Sequence, residues 1–134
     1  MKKILLVDDE AAVIKLYMRW FETLLKKEAI PVLLTAASVD EAREKFLLNQ
    51  EDIIAIVLDG NIIGPPAVEF SEDPSGTCPN SVVLVGEFRK TFKGPMIASS
   101  IVESSREILM EAGCDYKVDD KGKVVGKLIE ILCL

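Results

Sequence analysis

Five short apolar runs punctuate the chain, at residues 3–7, 31–36, 53–58, 96–99 and 116–118. The first, third and fourth are almost uninterrupted, the pattern of strands covered on both faces. Between the runs, apolar positions recur at helical spacing. Residues 11–27 place Val13, Leu16, Trp20 and Leu24 on one stripe. Ser38-Val39-Asp40-Glu41 is a capping box that opens a helix reaching about Leu48. Val85, Phe88 and Phe92 share a face near the end of residues 81–92, although the β-branched start of that segment blurs its first turn. Residues 104–112 form a short helix that Gly113 terminates, and residues 123–132 carry Val124, Leu128 and Ile131 on one side. Strict alternation of strand and helix predicts an α/β domain over residues 1–134, a doubly wound five-stranded parallel sheet with helices on both faces.

One stretch breaks the rhythm. Residues 60–80 contain Gly64-Pro65-Pro66, Asp73-Pro74-Ser75-Gly76 and Cys78-Pro79, too many breakers for regular structure. An extended loop of this length is functional, mobile or a tolerated insertion.

Charge and composition narrow the chemistry. With 16 basic and 22 acidic residues the net charge is −6, which argues against a nucleic-acid surface and for a metal ion or a basic partner. No apolar run is long enough to cross a membrane or serve as a signal peptide, so a cytoplasmic protein is expected. Cys78, Cys114 and Cys133 are scattered, which suggests neither disulfides nor zinc. Cys114 and Cys133 are expected in the core, and Cys78 is a candidate exposed thiol. The chain has no histidine, so any acid–base or metal chemistry rests on carboxylates, lysines and hydroxyls.

Three carboxylates stand where chemistry is expected. In open parallel sheets, sites form beyond the carboxyl ends of the strands. Asp8 and Asp9 directly follow the first strand, and Asp59 follows the third. In a sheet of order 2-1-3-4-5 these strands are neighbours, so the three acids converge. Such like charges repel, and a hard cation such as Mg²⁺ relieves them. Taken alone, Asp9 reads equally well as a cap for the helix starting near Ala11.

Here the sequence resembles a known family. Ile4-Leu5-Leu6-Val7-Asp8-Asp9-Glu10 resembles the opening of the receiver domain of bacterial two-component response regulators, and Ile56-Val57-Leu58-Asp59-Gly60-Asn61 resembles its phosphorylation strand. Gly94-Pro95-Met96-Ile97-Ala98-Ser99-Ser100 is similar to its fourth strand, and Glu111-Ala112-Gly113-Cys114-Asp115-Tyr116 to the entry into its fifth. The resemblance runs in order along nearly the whole chain. It implies a flavodoxin-like fold with Asp59 as phosphoacceptor. It implies Mg²⁺ held by Asp8, Asp9, Asp59 and the main-chain carbonyl of Asn61, with Ser100 as the switch hydroxyl. Tyr116 falls where the family has an aromatic rotamer switch. The implied partners are a histidine kinase or phosphotransfer protein and a downstream protein target that binds near Ile101, Val102 and Tyr116. Since the chain ends with its last helix, a stand-alone receiver is expected, an acceptor rather than a turnover enzyme.

The pattern fails at the fifth strand. The family has a lysine there, usually followed by proline. Counting on from Tyr116 gives Asp119, and counting from Gly113 gives Asp120. Lys121 is the nearest candidate and Lys117 the next, against the alternative that both are solvated surface lysines. Without a lysine the chain would be a pseudo-receiver, an interaction module that is not phosphorylated. A third reading is a hydrolase similar to the haloacid dehalogenases, with Asp59 as nucleophile and Asp119-Asp120 in support.

Overall fold

The computed structural model describes residues 1–65 and 78–134. Residues 66–77, the greater part of the expected loop at 60–80, lie outside the described residues. The strands are β1 (Lys3–Val7), β2 (Val32–Ala36), β3 (Ile53–Leu58), β4 (Met96–Ala98) and β5 (Tyr116–Lys117). They pair in parallel in the order β2-β1-β3-β4-β5, as expected. The helices are α1 (Ala11–Leu24), α2 (Val39–Asn49), α3 (Val82–Arg89), α4 (Glu103–Ala112) and α5 (Val124–Leu132), with 3₁₀ turns at Lys27–Ala29 and Lys121–Lys123.

The pleat divides the core in two. Leu5, Val7, Ile56 and Leu58 face α2, α3 and α4, where they meet Phe46, Leu84, Val85, Phe88 and Leu109. Ile4, Leu6, Ala55, Val57 and Ile97 face α1 and α5, where they meet Tyr17, Phe21, Val124, Val125 and Leu128. Double coverage explains why the central strands read as continuous apolar runs. Among the described residues, no helix is long and apolar enough to cross a membrane.

Local chemistry sets the boundaries. Ser38 Oγ accepts from the Glu41 N–H at 3.0 Å, and Glu41 Oε1 accepts from the Ala37 N–H at 2.7 Å, one residue earlier than in a standard capping box. Gly113 ends α4 at φ +138°, a conformation glycine adopts without strain. Phe92 lies beyond the end of α3 but remains buried, edge-on to Phe46 at 6.4 Å, while Phe46 stacks on Phe88 at 4.2 Å.

Several expectations need correction. In α1 the buried residues are Tyr17 and Phe21, while Trp20 and Leu24 are 38% and 49% exposed. Both stripes have helical spacing, and the one that faces the sheet carries two large aromatic side chains with Ile14 beside them. The helix also stops short of residue 27, because Leu25 turns extended and its N–H bonds Phe21 O. Cys133 is exposed in the left-handed conformation that ends α5, whereas Cys114 is buried as expected. Cys78 is partly buried against the core on the α2–α4 side of the sheet. β4 and β5 each end one residue earlier than the apolar runs suggest.

Candidate functional site

The parallel register aligns the carboxyl ends of the three central strands. Val7 pairs with Leu58, and Leu58 with Ala98, so Asp8, Asp59 and Ser99 leave the sheet side by side. Main-chain bonds continue the alignment past the strands. The Asp59 N–H reaches Val7 O at 2.9 Å, the Ser99 N–H reaches Leu58 O at 2.9 Å, and the Asp8 N–H reaches Ala36 O at 2.9 Å.

Asp8 is 4% exposed. Its Oδ1 accepts from the Glu10 N–H at 3.0 Å, which turns the chain into α1. Glu10 rather than Asp9 stands at the N-cap of α1. Asp8 Oδ2 accepts from Lys121 Nζ at 2.8 Å, and the same ammonium donates to Asp59 Oδ1 at 2.9 Å and Ser99 Oγ at 3.3 Å. The Asp59 and Lys121 side chains are 14% and 13% exposed. One buried cation therefore bridges the ends of β1, β3 and β4. Burial pushes the Asp59 carboxyl above its ordinary value; Lys121 opposes that rise and Asp8 adds to it.

Lys121 reaches the site from a 3₁₀ turn rather than from a strand. Asp120 shapes the turn: its Oδ1 accepts from the Gly122 N–H at 2.8 Å, and its carbonyl accepts from the Lys123 N–H at 2.9 Å. The turn packs between α1 and α5. Lys117, the other candidate, is exposed and pairs with Glu107 at 2.6 Å. The two acids that counting places at the lysine position lie elsewhere. Asp119 pairs with exposed Lys123 at 3.2 Å, which lowers its pKa, and Asp120 caps the turn. Neither is placed to give the acid–base help the hydrolase reading requires.

Asp8, Asp9 and Glu10 each bring one carboxylate oxygen within 4.8 Å of the others, and Asp9 and Glu10 are exposed. Such hard oxygen donors suit a divalent cation such as Mg²⁺ or Ca²⁺. Asp59 is outside this trio, and its Oδ1 accepts from the same Lys121 ammonium that Asp8 Oδ2 does. Asn61 is exposed two residues on.

The paired hydroxyls after β4 point to opposite faces. Ser99 Oγ meets Lys121 and donates to Leu58 O at 3.2 Å. Ser100 Oγ accepts from the Val102 N–H at 3.2 Å and lies beneath Gly60, where a Cβ would sit 2.9 Å from Ser100 Oγ and 3.1 Å from its Cβ. Gly60→Ala should therefore displace Ser100 and cost about 1–2 kcal/mol as an overpacking change, measured by urea unfolding. Ser100→Gly in the same chain should recover most of that loss, and equal loss in the two chains would refute the contact. Arg106 Nη1 donates to Ser100 O at 2.8 Å and fixes the start of α4. Ile101 and Val102 are exposed, and Tyr116 is half-buried with Lys127 Nζ 5.1 Å from its ring centroid.

Sequence reasoning singled out Ser100 and passed over Ser99. The available signal was alternation: Ser99 shares its side of the strand with Ile97, the side toward α1, where Lys121 enters.

No protein-family model and no curated protein matches the chain. Solved structures do. The response regulator DrrB of Thermotoga maritima, an OmpR/PhoB homologue, is similar over 98% of this chain at 18% identity with a TM-score of 0.67, and the chain spans 52% of its length. CheY of Borrelia burgdorferi, in a complex with CheX, BeF3 and Mg²⁺, gives 0.68 at 18% identity over 98% of this chain and 89% of its own. The Mn²⁺-bound response regulator Rcp1 gives 0.70 at 16% identity over 98% and 94%. At these identities the likeness is one of fold, and the chain has the flavodoxin-like fold of response-regulator receiver domains.

Proposed function

We propose that the chain is a phosphoacceptor domain of two-component signalling, with Asp59 as the acceptor. The observation that carries this reading is the Lys121 ammonium held between Asp8 and Asp59, a cation already poised where a transferred phosphoryl group would need one.

The chemistry is a single displacement. An Asp59 carboxylate oxygen forms a bond to phosphorus while the bond from phosphorus to the donor breaks, and the electron pair leaves with the donor. The sequence has no histidine, so a phosphohistidine donor, such as that of a histidine kinase or phosphotransfer protein, lies outside these residues, and its protonated imidazole departs neutral. Asp8, Asp9 and Asp59, with the Asn61 main-chain carbonyl, would hold Mg²⁺, which offsets charge on the phosphoryl oxygens. Lys121, whose ammonium already bonds Asp59 Oδ1, would supply a second positive charge, and burial keeps that charge effective. The acceptor is consumed once per event, so the domain acts as a switch rather than a turnover enzyme.

The new charge is read by the β4–α4 connection. Ser100, freed from Val102, would move toward a phosphoryl oxygen, and the exposed pair Ile101 and Val102 would shift with it. A downstream protein would recognise that face together with Tyr116.

Intact mass after incubation with Mg²⁺ and acetyl phosphate tests the reading. Wild type should gain one phosphoryl group and Asp59→Asn none. If neither is labelled under conditions that label a known receiver, the chain is a pseudo-receiver and its acidic site serves binding alone.

A further inference from the structure

Asn80 is 7% exposed, and its side chain is turned toward the segment that follows Asp59. Its Oδ1 accepts from the Ile62 N–H at 3.0 Å, and its Nδ2 donates to Ile62 O at 2.7 Å and Gly64 O at 3.4 Å. Beside it, the Ser81 N–H donates to Gly60 O at 3.2 Å. The turn before α3 therefore grips the chain on both sides of Asn61. Helix capping does not account for this asparagine. Ser81 stands at the N-cap of α3, and that helix start has no side-chain cap.

The path of the gripped segment gives the contact its meaning. Ile63 pairs in parallel with Ser38: its N–H reaches Ala37 O at 3.2 Å, and its carbonyl accepts from the Val39 N–H at 2.9 Å. Asp59 leaves β3, Ser38 lies beyond β2, and β1 runs between those strands. Residues 60–62 therefore cross the carboxyl end of β1, where Asp8 and Asp9 emerge. The peptide between Asn61 and Ile62 is trans. The N–H and C=O of a trans peptide point in opposite directions, so the bond from the Ile62 N–H turns the Asn61 carbonyl away from Asn80. We infer that Asn80 is a positioning residue of the metal site, holding the Asn61 carbonyl ready as a neutral ligand beside the Asp8 and Asp9 carboxylates. This rests on the receiver reading, in which those groups hold Mg²⁺. Mg²⁺ demands near-octahedral geometry, so a carbonyl already fixed in direction binds it at lower ordering cost than one free to turn.

The test is Mg²⁺ binding itself, measured by calorimetry without any phosphodonor, beside thermal melting without metal. Asn80→Ala strands the Ile62 N–H and carbonyl, so it should melt lower than wild type. It should also bind Mg²⁺ about tenfold more weakly, the usual effect of removing a group that orients a metal ligand. Arg89→Lys is the control, because it severs bonds at the opposite end of β4. It should melt lower and keep wild-type Mg²⁺ affinity. In wild type, Mg²⁺ should move the Ile62 amide nitrogen resonance downfield, since coordination at the Asn61 carbonyl polarises that peptide.

Equal Mg²⁺ affinity of Asn80→Ala and wild type would overturn the inference while leaving the receiver reading intact. So would equal losses of affinity in Asn80→Ala and Arg89→Lys, the mark of a residue that only supports the fold. Mg²⁺ binding that leaves the Ile62 resonance unmoved would also overturn it, with the acceptor role of Asp59 untouched. If Asn80→Ala fails to fold, Asn80→Ser decides by the same criteria, because its shorter hydroxyl cannot serve both groups of Ile62. Failure of wild type to bind Mg²⁺ at all would remove the receiver reading first and this inference with it.

Discussion

Lys121→Met should lower the stability of the chain by about 3 kcal/mol at neutral pH, a drop in melting temperature of about 10 °C for a domain of this size. The substitution keeps the apolar stem and removes only the ammonium, so the loss reports charge rather than packing. Asp8 and Asp59 are then left facing one another with no cation between them, both more than four-fifths buried. Breaking a buried ion pair from one side costs more than the pair itself contributes, because the remaining charges stay desolvated.

The pH dependence follows from Asp59. Burial holds its folded pKa above the ordinary 3.8. Between the unfolded and folded values the native state binds more protons than the unfolded state, so this group's contribution falls as pH rises through that window. Lys121 is the largest influence opposing the rise. Without it the folded pKa climbs and the window extends upward, so wild type and variant should lie closest in acid and diverge toward neutrality. Urea unfolding across pH in metal-free buffer measures the gap, and a gap independent of pH would refute the account. Mg²⁺ should also raise the melting temperature of the variant more than that of wild type, since it meets two uncompensated carboxylates there.

The same residue shows where the sequence stops being readable. Asp8 and Asp59 could be placed because each follows a doubly covered strand whose apolar run ends abruptly, and parallel pairing then fixes their proximity. Lys121 could not be placed by counting, because a strand-based register puts Asp119 or Asp120 at that point. What delivers the lysine is a 3₁₀ turn held by the Asp120 cap on Gly122, a local bond that no periodicity announces. In α1 the spacing allowed two stripes, and only contact with the sheet selected Tyr17 and Phe21. Ser99 and Ser100 are alike in type, and the pleat alone separates their roles. Strands, strand-end acids and the Ser38 cap of α2 were therefore legible, while features fixed by tertiary contact or by the Asp120 turn were not.

Arg89 carries the other large effect, at the opposite end of β4 from the site. Its Nε donates to Gly113 O at 3.0 Å, and its Nη1 donates to Phe92 O at 3.2 Å and Gly94 O at 2.7 Å. Nη2 pairs with Asp115, whose Oδ2 also accepts from the Met96 N–H at 2.9 Å. One planar fork thus ties the end of α3, the entry to β4 and the turn into β5. Lysine keeps the charge but cannot serve three carbonyls and a carboxylate with one ammonium. Arg89→Met should cost about 3 kcal/mol, and Arg89→Lys should still cost about 1–2 kcal/mol, as stranded carbonyls outweigh the retained charge. The damage should be local first. β4 is only three residues long, so amide exchange of Met96–Ala98 should accelerate before that of β1, whose pairing with β2 and β3 is untouched. Exchange that accelerates equally in both strands would mean that Arg89 supports the fold as a whole. Exchange confined to β4 would show that the strand carrying Ser99 and Ser100 is held in register from its far end.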